Sequence, residues 1–133
     1  MNLKLSRRDT LALLAALGVP RTSGHAEEGR GGNLTKGVTL ENDHVRVLEF
    51  VSPGGSAVCG TGRHFHPAHL TVWLTSVRIR SRKDDGTTTV ADRKAGDVAW
   101  FEAGWHAAES IGPEGTRTCM VEIKDKDWKP STG

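Results

Sequence analysis

From Val38 onward, short runs of alternating apolar and polar residues are separated by turn signals, a period-two pattern that predicts β-strands and no amphipathic helix. His44 to Val51 (HVRVLEFV) alternates about Val45 and Val47 and stops at Ser52-Pro53-Gly54-Gly55. His69 to Thr75 and Val77 to Arg82 are two further runs, the second beginning with strict apolar/basic alternation in Val77-Arg78-Ile79-Arg80. Asp84-Asp85-Gly86 predicts a hairpin turn into Thr87 to Ala91. Lys94-Ala95-Gly96-Asp97 turns the chain into Val98 to Phe101, and Gly104 turns it again before His106. Ile111 to Gly115 then leads into a last strand, Thr116 to Ile123. The pattern over residues 38–124 reads as an all-β sandwich or barrel. Residues 27–37, polar and Gly-rich, are expected to be a flexible linker, and residues 125–133 a polar tail, frayed apart from Trp128.

Residues 1–26 follow another pattern. Lys4, Arg7 and Arg8 precede the short apolar stretch Leu11 to Val19, and Gly24-His25-Ala26 supplies the small residues that a signal peptidase reads, so this segment is expected to be an export signal. Ser6-Arg7-Arg8 followed by Leu11 resembles a twin-arginine signal, with Thr10 where Phe is usual. The alternative, a buried amphipathic helix, fits poorly because one flank is basic and no polar face exists. No apolar run reaches the roughly 20 residues that would span a bilayer, so no stable membrane anchor is expected. The expected location is periplasmic or secreted. The twin-arginine route carries folded proteins, which suits a chain that acquires a metal before export.

Length and composition narrow the classes further. The 133 residues allow one domain, and 36% hydrophobic with 26% charged residues suits a globular domain and not a disordered one. The formal charge of +2 belongs to the leader, whose Lys4, Arg7, Arg8 and Arg21 face only Asp9; the remainder is about −1. No basic face remains to suggest a nucleic-acid partner.

The candidate chemistry lies in histidines. His64-Phe65-His66 is an H-x-H on a predicted strand, where alternate side chains share a face. His69 follows past Pro67, and His106 lies on a separate later strand. Convergent imidazoles suit a transition metal, whereas Ca or Mg would want oxygen ligands.

With these motifs the segment from about Val38 to Lys124 resembles a small single-domain cupin. The first cupin motif is matched by His64-Phe65-His66-Pro67-Ala68-His69 running into Val72-Trp73-Leu74, and the second by Gly96 to His106 with Ser110 beyond. The resemblance implies a cupin β-barrel of jelly-roll type, one divalent transition metal ion (Fe, Ni, Cu, Mn or Zn) and a homodimer paired through edge strands. It departs from the family in three places: His69 stands where the acidic ligand is expected, Glu102 replaces the Pro of the second motif, and Ser76 replaces the hairpin Gly of the first. The expected ligands are therefore His64, His66, His69 and His106, or three of them with His69 in another role. Four neutral ligands would leave the site doubly positive and suited to an anion.

Around this set, alternation from His69 turns Trp73 inward, and Trp73 and Trp100 are the candidate walls of a substrate pocket, with core packing the alternative for Trp73. Trp105, next to His106, should point the opposite way. Glu102 is the candidate general base; an exposed loop carboxylate is the other reading. Cys59 and Cys119 are the only cysteines, and in an exported protein such a pair suggests a disulfide; a ligand or redox role for Cys59 is the lesser alternative. The functional expectation is an exported mononuclear metal enzyme, dioxygenase-like or of isomerase or hydrolase type, acting on a small organic, anionic molecule. The alternatives are a cupin that binds a ligand or metal without turnover, and a purely structural β-domain.

Overall fold

The computed structural model describes residues 34–133. The export signal expected over residues 1–26 lies outside them. Alternation along the strands dictates the rest: β1 (Thr35–Glu41), β2 (Val45–Ser52), β3 (His64–His66), β4 (His69–Trp73), β5 (Val77–Lys83), β6 (Thr88–Arg93), β7 (Val98–Phe101), β8 (Gly104–Ser110) and β9 (Thr116–Ile123). All pairings are antiparallel. They form a five-stranded sheet in the order β1-β2-β9-β4-β7 and a four-stranded sheet in the order β3-β8-β5-β6. No helix occurs among the described residues, as the period-two reading predicts.

Two expectations about the ends of the domain are corrected. Residues 35–37, expected to belong to a flexible linker, are instead the start of β1, because Thr35–Val38 pairs with Leu48–Val51 of β2. The tail is not frayed. Thr132 exchanges hydrogen bonds with Phe65 at the edge of β3, 3.0 Å to its carbonyl and 2.9 Å from its amide to the Thr132 hydroxyl. The exposed edge of a three-residue strand offers unpaired backbone groups, and the polar tail satisfies them.

Register places the interior. Across the large sheet, one inward row is Arg46-Glu122-His69-Phe101, the next Leu48-Met120-Thr71-Ala99, and the next Phe50-Thr118-Trp73. Leu48, Phe50 and Met120 form one buried apolar cluster; Val58, Trp73, Ile79 and Ala108 form a second that spans the two sheets. Each such side chain contributes about 1.5–3 kcal/mol through burial. The β5–β6 hairpin closes through Gly86, whose φ of +83° is a left-handed turn conformation that favours glycine.

Between β2 and β3, residues 53–63 run without regular strand structure, yet they are tied to β8: Val58 N donates to Ala108 O at 3.2 Å and Ser110 N to Ser56 O at 2.9 Å. This anchoring pushes Val58 and Cys59 inward, where Cys59 packs against both apolar clusters.

Candidate metal centre

The H-x-H of β3 does what strand geometry requires. His64 and His66 share the inner face and are buried, and register sets His64 directly opposite His106 on β8. The His64 and His106 rings lie 4.7 Å apart between centroids, and His66 lies 4.7 Å from His64 and 5.1 Å from His106. Cys59 enters from the loop, its Sγ 3.4 Å from both His64 Nε2 and His106 Nε2. One ligand atom from each of Cys59, His64, His66 and His106 lies within 4.8 Å of every other.

The tautomers are set by what the other ring nitrogens touch. His64 Nδ1 lies 2.9 Å from the Gly62 carbonyl, which can only accept, so Nδ1 carries the proton and Nε2 presents a lone pair to the cluster. His66 Nδ1 lies 2.7 Å from Ser131 Oγ, whose own proton goes to Glu122 Oε1, so His66 also turns an unprotonated Nε2 inward. That Nε2 is buried and has no hydrogen-bond partner among the described residues. An orphaned acceptor beside further imidazole nitrogens and a thiol is costly unless an electrophile answers it. Three neutral imidazoles and one sulfur fit a borderline transition metal such as Zn, Fe, Co, Ni or Cu, and do not fit Mg or Ca.

Electrostatics agree with that donor set. Burial pushes His66 down to about 2, with His64, His69, His106 and Lys36 acting the same way. His106 falls to about 4, through burial first and then His64 and His69. Burial lowers His64 and His69 as well. The imidazoles are thus neutral at pH 7, with lone pairs available. Burial alone pushes the Cys59 thiol up to about 12, so it keeps its proton until a nearby cation compensates.

Of the two histidine sets expected, the structure brings together the three without His69 and not all four. His69 is buried beside His66, with ring centroids 5.1 Å apart, but it stacks on Phe101 at 5.3 Å and 21° and lies outside the mutual contact of the four donors. Its Nδ1 is held at 2.6 Å by the Pro67 carbonyl. Its place in the group is taken by Cys59.

That position also overturns the disulfide. Cys59 and Cys119 are both free thiols, because Cys119, between the inward Thr118 and Met120 of β9, faces outward while Cys59 faces the histidines. Trp73 is buried as expected and stands edge-on to Phe101. Trp100 is not a pocket wall: it is half exposed, and the inward positions of β7 belong to Ala99 and Phe101. Glu102 is likewise exposed, and its carboxylate accepts the Trp100 indole N–H at 2.7 Å, which removes it from the site. Trp105 points outward as alternation requires, under the Arg63 guanidinium at 4.2 Å.

Three supporting residues escape the sequence reading. Glu122 is the buried carboxylate of the site; besides Ser131 it accepts the Trp128 indole N–H at 3.2 Å and faces Arg46 at 3.8 Å. Ser131 links it to His66. Gly60 allows close approach of the loop, since a Cβ there would meet the His64 ring at 2.6 Å. A glycine beside a cysteine in a turn-rich loop and a serine in a polar tail carry no periodic signal.

The cluster opens on a partly open cavity of about 150 Å3 lined by His69, His106 and Cys59 at one end and by Trp73 and Arg93 at the other. A larger groove of about 430 Å3, by Gly62, Arg80 and Ala107, contains none of the cluster residues, and its Arg80 is engaged by Glu109 at 3.0 Å.

No protein-family model matches the chain, and no curated protein is similar to it. Solved structures are. A cupin domain from Bordetella pertussis Tohama I superposes with a TM-score of 0.61 at 20% identity, over 71% of this chain and 100% of that one. A conserved protein with a double-stranded β-helix domain from Klebsiella pneumoniae matches with a TM-score of 0.57 at 21% identity, over 77% and 84%. A variant of oxalate decarboxylase from B. subtilis matches with a TM-score of 0.54 at 18% identity, over 77% of this chain and 28% of that one. The fold is therefore the cupin double-stranded β-helix, and it carries a His3Cys cluster able to hold a metal.

Proposed function

We propose that the protein is an exported metal-binding cupin in which Cys59, His64, His66 and His106 hold one divalent transition metal ion, and that it is an enzyme acting on a small anionic organic molecule. The observation that carries this reading is the buried, unpartnered His66 Nε2 aimed into three further donor atoms. A metal held there supplies a Lewis-acid position and, for Fe, Ni or Cu, a redox centre.

The chain's own contribution is orientation and proton handling. Gly62 and Ser131 lock the tautomers of His64 and His66. His69 lines the cavity, stays neutral through burial, and has Nδ1 bound to Pro67, which leaves Nε2 facing the cavity as a proton acceptor. It takes the general-base role that Glu102 cannot fill. Val58, Trp73, Phe101 and Met120 exclude water around it.

Binding without turnover is the second reading, and one observation favours it: among the described residues no carboxylate lines the cavity, so a carboxylate acid/base pair is absent from its lining.

Export is proposed from the Arg7-Arg8 leader, and a homodimer from the outer face of the large sheet. Leu40, Val47, Val121, Leu70 and Trp100 form an unbroken apolar row across all five strands. A face of this kind is complementary to itself under twofold symmetry.

Elemental analysis of the protein isolated from the cell envelope, run beside His64→Ala and His106→Ala, tests the core of the reading. About one Fe, Ni, Cu, Mn or Zn per chain, lost in both variants, is expected. Absence of metal even after anaerobic reconstitution would overturn it. Turnover on a panel of small carboxylates then separates enzyme from binding protein.

A further inference from the structure

The cavity has a second end that the metal reading does not use. Trp73 lies four residues along β4 from His69, roughly 13 Å of extended strand, so the indole closes the cavity far from the cluster. On the opposing sheet the same polarity holds: His106 is registered with Lys83 at one end of β5, and Arg93 with Val77 at the other. There Arg93 lays its guanidinium over the Trp73 ring, 4.6 Å from the centroid.

Arg93 differs from three nearby arginines. Arg63, Arg78 and Arg80 each have a carboxylate partner, Asp84, Asp92 and Glu109 respectively. Lys83, at the histidine end, is a second cation of the lining without a carboxylate within ion-pair distance among the described residues, but no aromatic ring lies beneath it. Arg93 has no carboxylate within ion-pair distance and no side-chain hydrogen bond among the described residues. A guanidinium held over an aromatic face through its central carbon can still offer an N–H fork to a carboxylate in two parallel hydrogen bonds. Between that fork and the cluster, Trp73, Ile79, Phe101 and Met120 give the cavity apolar walls. Its volume of about 150 Å3 is that of an engineered protein cavity that holds benzene.

We propose that Arg93 and Trp73 form a carboxylate-anchoring end of this cavity, and that its ligand is a small monocarboxylate with an apolar body of roughly six carbons. The acid group sits on Arg93, and the other end of the molecule is directed at His69 and the Cys59/His106 side of the cluster. The inference rests on the preceding reading for which end reacts; the anchoring itself does not depend on a metal.

Benzoate and its uncharged counterpart benzamide are the probes, titrated by calorimetry and by the indole N–H resonance of Trp73, into chelator-treated and zinc-loaded protein. Wild type should bind benzoate about tenfold or more tightly than benzamide, the discrimination a charge-assisted pair supplies. Arg93→Gln should abolish that preference and leave benzamide affinity and metal content unchanged. Arg93→Lys, which keeps the charge and the apolar stem and so guards against misfolding, should retain part of it. Equal binding of the two probes, benzoate binding unaffected in Arg93→Gln, or no shift of the Trp73 resonance up to saturating benzoate would overturn the inference. A protein that takes up no zinc on reconstitution yet still prefers benzoate through Arg93 would sink the metal reading alone. A protein with metal and no preference would sink only the carboxylate anchor.

Discussion

At one end of the five-stranded sheet, two adjacent rows are inverted relative to an ordinary half-buried sheet, while further along the strands Leu48, Phe50, Met120 and Trp73 face inward in the usual way. The inward row Arg46-Glu122-His69-Phe101 carries an ion pair and an imidazole, whereas the outward row one residue out of phase, Leu40-Val47-Val121-Leu70-Trp100, is wholly apolar. Alternation alone would assign the apolar row to the core. This interior is held together by two small apolar clusters on either side of a polar site, and the cost of burying the site is offset by hydrogen bonds from His66 to Ser131 to Glu122 and from Trp128 to the remaining carboxylate oxygen, beside which the Arg46 guanidinium lies as an ion pair at 3.8 Å.

The cysteines give the sharpest way to break that comparison, since one lies on each face. Cys59→Ser removes an inward donor and should weaken zinc affinity of the isolated protein by about a hundredfold or more, whereas Cys119→Ser should leave it unchanged, both measured by competition with a chromogenic chelator. Equal effects of the two would place the donor set elsewhere.

The network behind the ligands comes next in size. Glu122→Gln and Ser131→Ala should each lower metal affinity by about tenfold, because they release the His66 ring from its fixed tautomer. Glu122→Gln should also cost about 1–3 kcal/mol in denaturant unfolding of the metal-free protein, since Arg46 loses its buried partner. Gly60→Ala should resemble the ligand variants in affinity, as its methyl would displace the His64 ring.

The outer face is expected to respond least within the protomer and most in assembly. Leu70→Lys or Val121→Lys should shift sedimentation from dimer to monomer while changing metal content by less than the error of elemental analysis. If the wild-type protein is itself a monomer, the apolar outer row has another role.

Much of this was legible beforehand. The strand pattern, the β5–β6 turn and the shared face of His64 and His66 follow from period-two alternation and from turn residues whose conformational preferences are local, and the resemblance to a cupin adds His106. What misled was phase. In Val98-Ala99-Trp100-Phe101 both alternating sets are apolar, so nothing local says whether Trp100 or Phe101 faces the cavity, and the pairing of Phe101 with His69 decides it. Cys119 sits in an equally ambiguous run, Cys119-Met120-Val121. Glu102 was placed near the site by its distance along the chain from His106, and the outward Trp100 captured it instead.

Local pattern carries the all-β class, the succession of strands and the shared face of His64 and His66, because backbone sterics, turn preferences and side-chain alternation act over a few residues, and His106 enters through the resemblance to a cupin. Only the tertiary structure decided that Cys59 and not His69 completes the donor group, that Glu122 and Ser131 stand behind His66, and that Arg93 faces the cavity without a partner. Those outcomes depend on which strands become neighbours and on how an aperiodic loop and a polar tail close over them. Register and packing between segments far apart in the chain set them, and no local pattern encodes that.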